Sequence, residues 1–141
     1  MTNSLIVGGI KMGMEVSVAC PKGYEPDAEL MKWASENGKF ICTDDVMEAA
    51  KGADVLYTDV WASMGQESEA EERKKIFAGY QINKAVMSVA NDKAMVLHCL
   101  PAHREEEITA EVFEAHANEI FDEAENRLHA QKAVQIGRAH V

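Results

Sequence analysis

The sequence has few basic residues, few cysteines and no long apolar runs. Its 141 residues include 14 Lys and Arg against 24 Asp and Glu, which gives a net charge of −10. A surface of this sign repels the phosphate backbone of nucleic acids, so DNA and RNA are excluded as general partners. No apolar stretch approaches the roughly 20 residues that cross a bilayer, and the N-terminus lacks the order of a signal peptide. These absences predict a cytoplasmic protein that does not enter a membrane.

The three cysteines are Cys20, Cys42 and Cys99, and none of them belongs to a CxxC pair. An odd number at these spacings argues against a disulfide framework and against a zinc knuckle. Cys20 and Cys42 are therefore expected to be small buried apolar residues. With 47% hydrophobic and 27% charged residues, the chain has the composition of one globular domain.

Strand patterns and helix patterns alternate along the chain. The runs that predict strands are 15–20, 39–44, 53–60, 94–100 and 119–122. The stretches that predict helices are 4–14, 27–38, 45–52, 68–79, 82–91, 107–116 and 123–134. Asp45 with Glu48, and Ser68 with Glu71, have the spacing of capping boxes. Because several strands are apolar on both faces, the sequence predicts a Rossmann-like α/β fold, with a parallel sheet between two layers of helices.

Two of these strands end in loops with unusual side chains. Asp59 closes one strand and leads into WASMGQE, whereas His98, Cys99 and Leu100 close another and lead into PAHREEE. In a parallel sheet, ligands bind beyond the carboxyl ends of the strands. The two loops are therefore expected to face each other across a site for a small polar ligand.

Each of these residues also has a structural interpretation. An Asp at a strand end is often a turn cap, and Met64 on a loop is most often a packing residue. Cys99 is by default an inert buried thiol, because a thiolate nucleophile needs a nearby base and His98 points to the opposite face of the strand. His98, Cys99 and His103 can also be drawn as metal ligands, but a strand followed by Pro does not fix them on one side.

Three motifs resemble the ornithine-binding, C-terminal half of an ornithine carbamoyltransferase: DVWASMGQE, HCLPAHR and DEAENRLHAQKAV. The likeness extends to KMGMEVSVACPKGYEPD and GYQIN, so it covers nearly the whole chain. SMGQE together with HCLP separates this branch from the aspartate carbamoyltransferases and from relatives that act on putrescine or acetylated ornithine. The resemblance implies transfer of a carbamoyl group from carbamoyl phosphate to ornithine, giving citrulline and phosphate in arginine biosynthesis.

The resemblance also implies how ornithine is held. Asp59 and Ser63 are expected to bind its α-amino and carboxylate ends, helped by the backbone at Met64. The loop WASMGQE is then expected to close over ornithine and to exclude water.

At the reacting centre, the resemblance implies roles for three more residues. The side chain of Cys99 lies close to the substrate amine, and the carbonyl of Leu100 contacts the carbamoyl amide. Arg127 helps to hold carbamoyl phosphate and polarises its carbonyl oxygen. Positioning and electrostatics suffice for this reaction, so neither a metal nor an organic cofactor is implied.

The sequence also departs from that family. The complete enzymes carry a carbamoyl phosphate domain with an S-T-R-T loop, and nothing here resembles it. The family's strand ending in G-D-x-x-N-N should immediately precede Met1, so the sheet is expected to lack its first strand and the chain alone to be inactive. Residues 1–134 are predicted to be the ornithine-binding domain. Residues 135–141 have the sequence QIGRAHV. Codons for these residues can match the beginning of a widely used sequencing adapter, which predicts that they are a non-native tail.

Full-length members of the family are expected to be homotrimers. Two other classes of function stay open for this chain. One is a non-catalytic α/β module that binds an amino acid, and the other is a metal-binding regulator built on His98, Cys99 and His103.

Overall fold

The computed structural model describes residues 1–62 and 69–138. Helices and strands alternate along most of this part of the chain. In chain order they are α1 (Thr2–Lys11), β1 (Val16–Ala19), α2 (Ala28–Asn37), β2 (Phe40–Thr43), α3 (Val46–Ala50), β3 (Val55–Thr58), α4 (Ala70–Phe77), α5 (Lys84–Met87), β4 (Met95–His98), α6 (Ala110–Ala115) and α7 (Ala117–Arg138).

The strands within the described ranges form two parallel pairs. β1 pairs with β2, with Val18 opposite Cys42, and β3 pairs with β4, with Thr58 opposite His98. No ladder joins one pair to the other in this part of the chain. Parallel strands connected through helices are the Rossmann-like α/β arrangement that the sequence predicts.

Most of the buried apolar residues in the described ranges form two clusters, one around each strand pair. The smaller cluster consists of Ile6, Ile10 and Ala34, on α1 and α2, with Val16, Val18 and Phe40 packed against it. The larger cluster consists of Ala50, Leu56, Ile82, Val86, Ala94, Val96, Ile108, Val112, Phe113 and Ile120. The thiol of Cys20 is buried and that of Cys42 half-buried, with their sulfur atoms 3.8 Å apart.

Close packing of α1 explains two glycines. A Cβ atom on Gly9 would lie 2.6 Å from Cγ2 of Val16, and one on Gly38 would lie 3.0 Å from Cδ1 of Ile10. Gly38 is the C-cap of α2, as the sequence predicts, but its φ of −174° is extended backbone. Glycine is therefore needed at this position because α1 lies so close, and not because of the backbone conformation.

Helix α3 begins with the predicted cap. The carboxylate of Asp45 accepts hydrogen bonds from the backbone N–H groups of Met47, at 2.8 Å, and Glu48, at 3.2 Å. The second half of the capping box does not form, because the Glu48 carboxylate accepts the hydroxyl of Thr43 at 2.6 Å instead. The other predicted capping residue, Ser68, lies outside the described residues.

The predicted strand at 119–122 is wrong, because these residues belong to helix α7. The Glu119 carboxylate accepts the backbone N–H of Val96 at 3.1 Å, and the Glu123 carboxylate accepts that of His98 at 2.9 Å. The two carboxylates are one helical turn apart, so both reach the edge of β4 that faces away from β3. Side chains of α7 thus satisfy backbone donors that a neighbouring strand would otherwise satisfy.

Helix α7 continues through Val134, where the sequence predicts the end of the domain, as far as Arg138. Among the helices of residues 1–62 and 69–138, none combines the length and the apolar character needed to span a bilayer.

Candidate functional site

A cleft of about 1060 Å³ opens at the carboxyl ends of β3 and β4. Trp61 and Ala62, at the start of one of the loops that the sequence singles out, border this cleft together with the other loop, PAHREEE, and α4 and α7 close its sides. The lining residues are Met1, Tyr57, Asp59, Val60, Trp61, Ala62, Ala70, Lys74, Cys99, Leu100, Pro101, His103, Glu106, Glu123, Ala124, Asn126, Arg127 and Ala130.

Four of the six predicted site residues line this one cleft. Asp59 follows β3, Cys99 and Leu100 follow β4, and Arg127 projects from α7. The other two, Ser63 and Met64, lie outside the described residues.

The backbone turns sharply where β4 enters the cleft. Leu100 has a φ of 53°, in the left-handed region that residues with a side chain rarely adopt, and the Leu100–Pro101 peptide bond is cis. The Leu100 N–H is held by Nδ1 of His98 at 2.9 Å. A backbone held in this region by its surroundings is a feature found at ligand sites.

The thiol of Cys99 is kept protonated by its surroundings. Burial raises its pKa, and the nearby Asp59 carboxylate raises it further, to about 11. A neutral thiol is a weak nucleophile but can donate a hydrogen bond. Burial beside the Asp59 carboxylate therefore favours a contact role for Cys99 over covalent catalysis.

Tyr57 and Glu123 extend the polar wall of the cleft, and sequence reasoning missed both of them. Burial raises the pKa of Tyr57, and the neighbouring Glu123 and Cys99 raise it further, so the phenol remains neutral. Glu123 belongs to α7, and its approach to β3 depends on the tertiary packing of that helix. The nearly continuous apolar pattern of the strand around Tyr57 gave no signal that this residue lines a ligand site.

Lys74 is a further cation of the cleft that sequence reasoning missed. Its Nζ lies 3.0 Å from Oε1 of Glu106, across the cleft rim. The hydrogen bond with this carboxylate raises the pKa of Lys74. Arg127, by contrast, forms no ion pair with a residue in the described ranges, so its charge is available to an anion in the cleft.

His98 is completely buried and uses both ring nitrogens inside the protein. Nδ1 accepts the Leu100 N–H, so the ring proton lies on Nε2, which donates to Oε1 of Glu107 at 2.9 Å. His98 is therefore not available as a metal ligand together with Cys99 and His103. The structure therefore does not support a metal site formed by His98, Cys99 and His103.

Fold and cleft together define an α/β protein with a polar ligand site at the carboxyl ends of parallel strands. The model of the family "Aspartate/ornithine carbamoyltransferase, Asp/Orn binding domain" matches residues 1–136. The chain belongs to this family.

Individual relatives agree with this assignment. The chain is 54% identical to the ornithine carbamoyltransferase of Pyrococcus horikoshii over 137 residues, which are 94% of this chain and 43% of that protein. Its structure matches that of anabolic ornithine carbamoyltransferase from Campylobacter jejuni with a TM-score of 0.91 at 42% identity, over 96% of this chain and 46% of that one. Ornithine carbamoyltransferase from Pyrococcus furiosus matches with a TM-score of 0.88 at 52% identity, over 96% of this chain and 45% of the other. The chain thus spans less than half the length of these relatives.

Proposed function

We propose that this chain forms the ornithine-binding part of an ornithine carbamoyltransferase. The observation that carries the proposal is the convergence of Asp59, Cys99, Leu100 and Arg127 on one cleft. These are positions to which the resemblance assigns contacts with the two substrates. The relatives described above carry the name of this activity, and their identity to this chain supports the same substrate.

Ornithine carries two amino groups, and the site has to distinguish them. The α-amino group stays protonated and needs a negative partner, which Asp59 supplies in the proposal. The substrate carboxylate would be held by Ser63 and the backbone of Met64. The side-chain amine then points towards Cys99, whose neutral thiol adds no charge that would favour the protonated form of the amine.

In the reaction, the neutral side-chain amine attacks the carbamoyl carbon. A new C–N bond forms, the bond between carbon and the phosphate oxygen breaks, and the proton that the amine loses passes to the departing phosphate. Negative charge develops on the carbonyl oxygen and on the departing phosphate, and the guanidinium of Arg127, which lines the cleft, would stabilise it. The Leu100 carbonyl would accept a hydrogen bond from the carbamoyl amide and thereby orient it.

Thermal unfolding of the purified chain with and without millimolar L-ornithine tests the binding step. A ligand that binds only the native state raises its stability, so the midpoint should rise with ornithine concentration. Asp59→Asn should remove the shift, whereas Asp92→Asn, the same change at an exposed turn, should keep it. A midpoint that does not respond to ornithine in the unaltered chain would count against the proposal.

A second assay separates an enzyme from a non-catalytic amino-acid-binding module. Citrulline is measured with the chain alone and after addition of the carbamoyl phosphate domain of a homologous ornithine carbamoyltransferase. Citrulline formed by the mixture supports the enzyme. Ornithine binding without citrulline in either sample favours the binding module.

Within this proposal, residues 1–134 are the ornithine-binding domain and residues 135–141 are foreign to it. Carbamoyl phosphate is the proposed second substrate, bound mainly by a separate domain. The homotrimer and the cytoplasmic location expected from the sequence stay predictions.

A further inference from the structure

Three side chains with metal-binding atoms converge beside the cleft, on the segment between β4 and α6. One such atom from each of His103, Glu106 and Glu107 lies within 4.8 Å of the other two. Nδ1 of His103 is 3.7 Å from Oε2 of Glu106. Two donors bound to one first-row ion at about 2.1 Å are roughly 3 to 3.5 Å apart. His103 is half exposed, so its side chain has room to rotate towards that spacing.

Glu107 provides an independent observation that points to a ligand. Its side chain is completely buried, and Oε1 accepts both Nε2–H of His98, at 2.9 Å, and the backbone N–H of His103, at 2.6 Å. Its second oxygen, Oε2, has no hydrogen-bond partner among the described residues. A buried carboxylate oxygen without a partner is costly and rare in native proteins. A cation bound at Oε2 would supply the partner that this buried oxygen lacks.

We propose that His103, Glu106 and Glu107 bind one divalent ion of the first transition series. One imidazole nitrogen and two carboxylate oxygens form a mixed donor set that suits Mn²⁺, Co²⁺ or Zn²⁺. His103 and Glu106 line the cleft, so water would occupy the remaining coordination positions on that side. The metal site does not include the residues assigned to ornithine, and it does not depend on which ligand the cleft binds.

Substitution of Lys74 tests the proposal, because the direction of its effect on metal affinity can be predicted. Its Nζ lies 3.0 Å from Oε1 of Glu106, while Oε2 of the same carboxylate faces His103. The ammonium therefore leaves one Glu106 oxygen for the metal, but its positive charge opposes a second cation nearby. Removing this charge should strengthen metal binding.

Cobalt(II) is the probe, because its visible spectrum reports the ligands and thiolate coordination adds a strong near-ultraviolet band. Titration of the tag-free chain with CoCl₂ should saturate at one ion per chain without that band. His103→Gln and Glu106→Gln should each weaken binding at least about tenfold. Lys74→Gln should strengthen it.

His129→Gln is the matched control, since His129 also pairs with a glutamate, Glu125, at 3.0 Å on an exposed helix face. This variant should bind cobalt as the unaltered chain does. The proposal is overturned if binding does not saturate, if the thiolate band appears, or if His103→Gln and Glu106→Gln bind as tightly as the unaltered chain. Circular dichroism of both variants excludes unfolding as the cause of a loss.

Discussion

Nε2 of His98 and Oε1 of Glu107 form a hydrogen bond of 2.9 Å in which both side chains are completely buried. This bond ties the end of β4 to the segment that precedes α6. Because Nδ1 of the same imidazole holds the Leu100 N–H, one buried pair fixes the backbone turn that leads into the cleft. The pair is therefore expected to affect both stability and ligand binding.

Acid should destabilise the chain through Glu107. Its folded-state pKa is lowered, because hydrogen bonds from His98 and His103 outweigh burial, so its contribution is present above the unfolded pKa of about 4.3. The contribution is lost as the pH falls through the folded pKa. Urea unfolding between about pH 7 and pH 3 should show this decline below about pH 4.

Replacement of Glu107 by Gln removes the titrating group but keeps the shape. The variant should lose about 1–3 kcal/mol of unfolding free energy near neutral pH, because a buried charged acceptor is lost. The variant should also lose less stability in acid than the unaltered chain does. Glu119 should still contribute to the loss, because burial raises its pKa but the hydrogen bonds with His116 and the Val96 N–H outweigh burial and lower it. Parallel acid curves for the two proteins would contradict this role of Glu107.

The adjacent glycines of α1 should respond in opposite ways to alanine. Gly9→Ala places a methyl group 2.6 Å from Cγ2 of Val16, a stiff β-branched side chain, and should cost about 1–3 kcal/mol. Gly8→Ala meets nothing within 4 Å and should stabilise the helix by up to about 1 kcal/mol. Thermal melts of the two variants check the signs. A destabilised Gly8→Ala variant would contradict the absence of neighbouring atoms at this position of α1.

Cys99 should react slowly with iodoacetamide. With a pKa of about 11, raised by burial and then by Asp59, only about 0.1% of the thiol is ionised near pH 8. The rate, followed by mass spectrometry of the peptide, should rise nearly tenfold per pH unit and should be much higher in concentrated urea. Asp59→Asn should accelerate the native reaction. A fast reaction at neutral pH would instead identify a reactive thiolate.

Asp45→Ala should destabilise the chain by about 1 kcal/mol, because its carboxylate caps two backbone N–H groups at the start of α3. Asp44→Ala is the control, since among the described residues its carboxylate makes just one polar contact, an exposed ion pair with Lys22 at 3.3 Å. The difference between the two midpoints in urea measures the cap. Equal midpoints would show that the helix does not need it.

The features that the sequence predicts well depend on local chemistry. The cap at Asp45 is predicted from two residues three positions apart, Asp45 and Glu48, and β-branched runs bounded by Pro or Gly predict the strands. Asp59 and Cys99 were identifiable because parallel topology brings strand ends together, whatever the details of packing.

The features that the sequence did not reveal depend on distant partners. Lys74 and Glu106 meet across the cleft from two separate segments, and neither stands out among the many charged residues of the chain. The segment at 119–122 has a strand-like pattern. As part of a helix, however, it lets the carboxylates of Glu119 and Glu123 accept hydrogen bonds from backbone N–H groups of β4. Tertiary contacts of this kind override local propensity.

The same two carboxylates have a consequence for the behaviour of the chain in solution. A strand edge with free N–H groups is a template on which a strand of another molecule can add, and this is a common start of aggregation. Because the carboxylates of Glu119 and Glu123 already accept the N–H groups of Val96 and His98, these two donors are not open to a strand of another molecule. The helix that borders the cleft thus also covers this strand edge.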